Sequence, residues 1–274
     1  MYVTWRRVAL LVATSSLTAC ASAAETIQTT ATTRAPKPTT TLLPPVTFDE
    51  MTGAITVYAA ASLIGTFDEI AATFASTYPD AFAVVTYDSS AAIAAGVAKG
   101  SKIDLFASAD SSQMDKLQTD ELMQAPEVVF ATDVFEIVVA PGNPKMIADL
   151  AGLSKRSIKV GLCGPERPCG RFARRLLKDN GVKLAPVAAT DAADVLAQVA
   201  SGAIDAGIVY GSEIAAAGVT VERIAIPAEI NVGAEHSIAV VAASRRSALD
   251  AVFIELLTGP VGKEILLRHG FVTP

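Results

Sequence analysis

Histidine is almost missing from this chain, with two in 274 residues, and there are only three cysteines and one tryptophan. His236 and His269 stand far apart, and no four-ligand pattern of histidine and cysteine can be assembled, which argues against a zinc site. No Cys-x-x-Cys occurs, so a thiol redox role has no support. Gly-x-Ser-x-Gly is absent too, and with it the usual setting of an exposed nucleophilic serine. A hydrolase using Ser62, Ser90 or Ser212 with a histidine base is therefore a remote reading. His269, in "LLRHGF", reads as a terminal-helix residue, and the chain is not expected to be an enzyme. The formal charge is −6, and no basic run occurs beyond the extreme N-terminus, so the electrostatic footprint of a nucleic-acid binder is missing. There is no internal repeat. Aromatics make up only 6% of the chain against 51% hydrophobic residues, which still suffices for a large core, as one two-lobed unit or two modest domains.

The N-terminus carries the parts of an export signal: Arg6 and Arg7, an apolar run from Val8, then small residues. The run is too short to stay in a bilayer as a permanent helix. It ends in "LTAC", which resembles the lipobox of bacterial lipoproteins. On that resemblance residues 1–19 are a signal peptide and Cys20 is the lipidated N-terminus of an exported protein. The anchor would hold it at the cell membrane, facing the periplasm or the outer side of the cytoplasmic membrane. An ordinary cleaved signal with an incidental cysteine is the alternative. Cleavage before Cys20 leaves 20 basic against 28 acidic side chains, a net charge near −8. Such a protein must hold an anion with local groups and not with its overall field. Residues 20–53, rich in Thr, Ala and Pro, have neither helical nor strand period and read as a tether.

From Ala54 onward short apolar strands alternate with helical segments, the order of an α/β protein. The spacing predicts strands at 55–60, 83–87, 103–108, 127–131, 134–140, 158–161, 185–189, 205–209, 222–226 and 236–242. Helices are predicted at 62–77, 90–99, 111–118, 146–150, 169–179, 191–200, 211–216, 246–257 and 259–268. Four strand-to-helix junctions share one chemistry: "AAAS" at Ser62, "YDSSA" at Ser89 and Ser90, "CGPERPCG" at Cys169 and Gly170, and "TDAAD" at Asp191 and Ala192. Each opens a helix with small or hydroxyl residues, leaving the first backbone NH groups unobstructed at the carboxyl edge of a sheet. Helix starts of this kind accept anions, although capping alone accounts for any one of them.

Beyond these junctions, "ITVYAAASL", "DSSAAIAAGVAKGSKIDLFASAD", "GIVYGSEIAAAGV" and "LTGPVGKEILLRHGF" follow in an order that resembles the periplasmic molybdate-binding proteins of bacterial molybdate ABC transporters. The resemblance runs from about Ala54 to the C-terminus. It implies a type II periplasmic-binding-protein fold of two lobes, each a mixed sheet flanked by helices, joined by two crossing segments. Residues 54–134 and 234–274 would form the first lobe and 135–233 the second. It further implies a molybdate site made by the hydroxyls of Ser62, Ser90 and Tyr210 and the backbone NH groups of Cys169 and Ala192, with no metal-cation ligands and no cofactor. Tungstate should bind comparably. The implied partners are the transmembrane subunits of an ABC permease, and the protein itself would be a monomer.

Molybdate is a tetrahedral dianion whose oxygens only accept hydrogen bonds, so a site made of donors suits it. Hydrogenphosphate keeps a proton that such a site leaves unpaired, at about 1–3 kcal/mol. Asp88, beside the serine pair, would spoil this if it pointed into the cleft, and it is expected to face solvent or a cap. Sulfate, another phosphate-like oxyanion or a small organic anion on the same fold is the alternative ligand. Cys163 and Cys169, six apart in an exported chain, are expected to form a disulfide, the alternative being two buried thiols.

Overall fold

The computed structural model describes residues 51–274. The proposed signal peptide, Cys20 and all but the last residues of the tether lie outside them. The chain runs β1 (Gly53–Ala60), a 3-10 turn (Ala61–Leu63), α1 (Ile64–Thr77), β2 (Ala81–Asp88), α2 (Ser90–Ala98), β3 (Leu105–Ser108), α3 (Ser111–Thr119) and β4 (Val128–Val139). After a second 3-10 turn (Ala151–Ser154) come β5 (Val160–Cys163), α4 (Pro168–Asp179), β6 (Val187–Ala189), α5 (Ala192–Ala200), β7 (Ala206–Tyr210) and α6 (Gly211–Ala217). The chain closes with β8 (Glu222–Ala225), β9 (Gly233–Val240), α7 (Ser247–Thr258) and α8 (Pro260–Arg268).

The strands hydrogen-bond in the order β2-β1-β3-β9-β4-β7-β5-β6, with β8 on the far side of β4. β1 is parallel to β2 and β3, and β9 is antiparallel to β3 and β4. The other half repeats this design: β5 is parallel to β6 and β7, and β4 is antiparallel to β7 and β8. Each half is thus a mixed sheet, and β4 belongs to both. Its residues 128–134 pair with β9, and from Phe135 it pairs with β7. That is why the two strands expected at 127–131 and 134–140 are one.

The cores follow the same division. Phe67, Phe74, Phe130 and Phe253 are fully buried with Ile55, Val57 and Leu105 where α1, α7 and α8 cover one face of the first half. Their rings meet at centroid distances of 5.4–6.3 Å, and each such side chain contributes about 1.5–3 kcal/mol by leaving water. α2 and α3 cover the opposite face through Ile93, Val97, Met114 and Leu117. A separate core lies between Phe135 and Ile226, built on β4, β5 and β7 with α4 and α5. β5 and β7 are buried along their whole length, as central strands of a sheet covered on both faces must be. α4 turns Ala173, Leu176 and Leu177 inward, while Arg171, Arg175 and Lys178 are exposed.

One predicted helix, 146–150, does not form. Asn143 has φ 44° and folds its side chain over the segment, donating to the Ile147 carbonyl at 2.7 Å and accepting from the Ile147 NH at 2.9 Å. A local side-chain turn has displaced the helix. Among the described residues no helix is long and apolar enough to cross a membrane.

Candidate functional site

A cavity of about 340 Å³ opens where the carboxyl ends of the strands from both halves meet. Ser62 reaches it from beyond β1, Ala109 from beyond β3, Arg167, Pro168 and Cys169 from beyond β5, and Asp191 from beyond β6. Tyr210, Ser212 and Glu213 come from the end of β7 and the start of α6. An outer cavity of about 590 Å³ adjoins it, sharing Ala109, Pro168, Phe172, Tyr210 and Ala234 and adding Arg171 and Glu235. This is the strand-end crevice at which α/β sheets hold ligands.

Of the five residues expected to bind the ligand, Ser62, Cys169 and Tyr210 line the inner cavity directly. Ser90 and Ala192 do not, but each adjoins it: Ser90 Oγ accepts from the NH of Ala109, at 3.1 Å, and Ala192 follows Asp191. The junctions of β1, β5 and β6 therefore converge, and that of β2 stands one residue behind.

Ser62 is not the cap its position suggests. The chain enters a 3-10 turn at Ala61, α1 begins at Ile64, and neither N-terminus has a side-chain cap. Among the described residues nothing hydrogen-bonds to the Ser62 hydroxyl, which is exposed in the cavity wall. Ser90 opens α2 and is buried, while Ser89 does the capping by accepting from the Ala92 NH. Because Ser90 Oγ accepts from Ala109, its hydroxyl proton is free to be donated. Asp88 is exposed, accepts from the Ser89 NH at 2.6 Å and lines neither cavity.

Cys169 and Gly170 are the second and third residues of α4, where helix geometry supplies no acceptor for their NH groups. Cys169 is joined to Cys163 in a disulfide, with Cα atoms 5.9 Å apart. Arg174 ties the same loop down by donating to the carbonyls of Cys163 and Gly170, at 2.9 and 2.8 Å. The packing leaves no room at Gly170, where an added Cβ would sit 2.1 Å from the Gly164 carbonyl oxygen. On α5, Asp191 caps the helix by accepting from the Asp194 NH, and the NH of Ala192, the first helical residue, has no intrahelical acceptor. Tyr210 ends β7 with its ring stacked on Phe135, centroids 4.0 Å apart, and its NH donates to Glu213.

Comparison with known proteins turns this geometry into a family. The pattern of the bacterial extracellular solute-binding proteins matches residues 55–272. The molybdate-binding protein ModA of Mycobacterium tuberculosis is 34% identical over 222 residues, which cover 81% of this chain and 85% of that protein. The chain belongs to the bacterial extracellular solute-binding proteins. Two solved structures share the fold at 22% identity. The Azotobacter vinelandii periplasmic molybdate-binding protein has a TM-score of 0.60, covering 80% of this chain and 99% of that one. The M. tuberculosis sulfate-binding protein SubI has a TM-score of 0.59, covering 80% and 86%. Both are type II periplasmic binding proteins in fold, and proteins of this family serve transport and not catalysis.

For a solute-binding protein the polar lining is unexpected, since the sequence pointed to donors alone. Acceptors are also present: Asp133, Asp191, Glu213 and His236 line the inner cavity. Asp133 is 4% exposed, and burial pushes its carboxyl up to about 6 despite hydrogen bonds from Ser212. Burial likewise raises Glu213 to about 7 and Tyr210 further above its ordinary range, the latter helped by the negative Asp133. His236 is driven down to about 4 by burial, so it is neutral at pH 7. Its Nδ1 lies 3.0 Å from the Ala234 carbonyl, so that nitrogen carries the proton and Nε2 is a buried acceptor without a protein partner. Two cations were also missed. Arg167, the residue just before α4, and Arg171, in its first turn, face the inner and outer cavities, and neither has a carboxylate within ion-pair distance among the described residues. Runs such as "PERPCGRFARR" read as a solvated helix face, and only the fold reveals that one edge of it turns to the crevice.

Proposed function

We propose that this protein captures molybdate, and tungstate comparably, between its two halves and delivers it to the transmembrane subunits of an ABC permease. The observation that carries this reading is the convergence of unpartnered donors on one cavity. The Ser62 hydroxyl, the first-turn amides of α4 and the Tyr210 hydroxyl meet there, with Ser90 and Ala192 adjoining. In this reading residues 54–134 and 234–274 form one lobe and 135–233 the other, and β4 and β9 carry the two crossings. Lobe closure would bring Ser90 and Ala192 to the anion. The protein acts as a monomer held at the outer side of the membrane through lipidated Cys20, outside the described residues.

Thermal-shift screening with molybdate, tungstate, sulfate and phosphate tests this, because a ligand that binds only the native state must raise its melting temperature. Molybdate and tungstate should give the large shifts. A shift with sulfate or phosphate and none with molybdate would replace this ligand with the second reading. That reading, another oxyanion, is favoured by the carboxylates that line the cavity, among them Asp191 and Glu213, which would receive the proton of hydrogenphosphate.

A further inference from the structure

Asp133 and Ser212 form a polar pair inside the anion cavity that the ligand set above does not use. Asp133 sits on β4 opposite Ala234, two residues before the strand changes partner from β9 to β7 at Phe135. Ser212, the second residue of α6, donates to it twice, through its NH at 3.2 Å and through its hydroxyl. Both side chains line the inner cavity. With the carboxylate ionised, the hydroxyl proton of Ser212 is turned to Asp133 and away from the ligand space. A dianion entering the cavity then meets a buried negative charge and loses a donor.

One proton from solvent removes both problems. On Asp133 Oδ2 it neutralises the carboxylate and becomes the donor of the bond to Ser212 Oγ. The hydroxyl, now an acceptor from Asp133, is free to turn its own proton into the cavity. No covalent bond to carbon changes, and the balance is one proton taken from solvent for each anion captured. We propose that Asp133 and Ser212 form a protonation-gated donor, so that an oxyanion is captured together with a proton. This rests on the oxyanion reading above and deepens it.

The surroundings of Asp133 favour the neutral acid. Burial raises the proton affinity of Asp133 most, and the negative charge of Glu136 on its own strand and of Glu213 on α6 adds to it. Tyr210 at the end of β7 is neutral, as is His236 on β9, and Asp191 lines the cavity at the start of α5. The opposing cations are Arg223 on β8, which is bound to Glu136, and Arg167 at the start of α4. By linkage, an anion that raises the proton affinity of this group must bind more tightly as pH falls.

Titration calorimetry with molybdate at pH 7.5, in buffers of differing ionisation enthalpy, reads the proton number directly. The native protein should take up between about half and one proton per anion, and its affinity should rise about tenfold from pH 8 to pH 6.5. Asp133→Asn should abolish the uptake and flatten the pH dependence, while Asp250→Asn, at a buried carboxyl that lines neither cavity, keeps both. Zero uptake in the native protein, or uptake unchanged in Asp133→Asn, overturns the proposal. Should Asp133→Asn fail to fold, the native number stands, and loss of uptake in Asp250→Asn would overturn the assignment. Absence of binding by molybdate, tungstate, sulfate and phosphate alike would defeat the oxyanion reading instead. Carbon-13 titration of the carboxyl at position 133 in the ligand-free protein then decides: titration near neutrality supports the proton site, and titration in the ordinary aspartate range overturns it.

Discussion

Asp133 and Ser212, 79 residues apart in sequence, meet where β4 passes from one half of the sheet to the other, and Ser212 donates to both oxygens of the Asp133 carboxylate. The contact ties the start of α6 to the crossing strand and puts a titratable group in the cavity wall. Sequence alone gave no hint of it.

Ser62→Ala and Ser90→Ala should each weaken molybdate binding by about 1.5–3 kcal/mol, or roughly 10- to 150-fold, as charge-assisted hydrogen bonds are lost. They should differ in stability. The Ser62 hydroxyl has no protein partner among the described residues, so its loss should leave the melting temperature of the ligand-free protein unchanged. Ser90 also satisfies the Ala109 NH, and its replacement should lower that temperature. Calorimetric titration and thermal melts of the two variants check both expectations.

Tyr210→Phe should cost less affinity than either serine change. It removes one hydroxyl and keeps the ring stacked on Phe135. Titration of this variant beside Ser62→Ala gives the ranking.

Gly170→Ala should destabilise the protein by about 1–3 kcal/mol, because the new methyl overlaps the Gly164 carbonyl and the start of α4 must shift. The same shift moves the Cys169 and Gly170 NH groups, so molybdate affinity should fall with it. Removing the disulfide by Cys163→Ala with Cys169→Ala should cost about 2–3 kcal/mol in the chain-entropy account. Urea unfolding measures both.

Asp250 sets a pH dependence outside the cavity. It is fully buried, shares the Ser244 hydroxyl with Asp104, and burial pushes its carboxyl up to about 6. Its folded value lies above its unfolded one, so the native state binds more protons between about pH 4 and pH 6. The contribution to stability is therefore lost as pH rises through that window. Asp250→Asn should escape this loss, gaining up to about 3 kcal/mol on the native protein between pH 4 and pH 7. Parallel unfolding curves for the two proteins would contradict it.

The strand and helix order was legible because it rests on local periodicity, and so was the disulfide, whose cysteines are six apart and bracket one loop. Failures came where a side chain overrode the local pattern. The Asn143 side chain replaced a helix with a turn, and a 3-10 turn took Ser62 out of its capping position while leaving it in the cavity. At the site, donors at helix starts could be read because each belongs to a strand-to-helix junction. Asp133, Glu213, His236 and the arginines of α4 could not, since an acid within a strand or a cation on a helix face acquires its meaning only from what packs opposite. Asp88 showed the reverse: it looked threatening beside the serines, and its carboxylate is engaged by the next NH in the chain.

The most direct test of the account is a crystal of the molybdate complex with anomalous scattering measured at the molybdenum edge. A single peak should appear in the inner cavity, its oxygens within hydrogen-bond distance of the hydroxyls of Ser62, Ser90 and Tyr210 and the backbone nitrogens of Cys169 and Ala192. A peak away from these groups, or none at saturating molybdate, would contradict it.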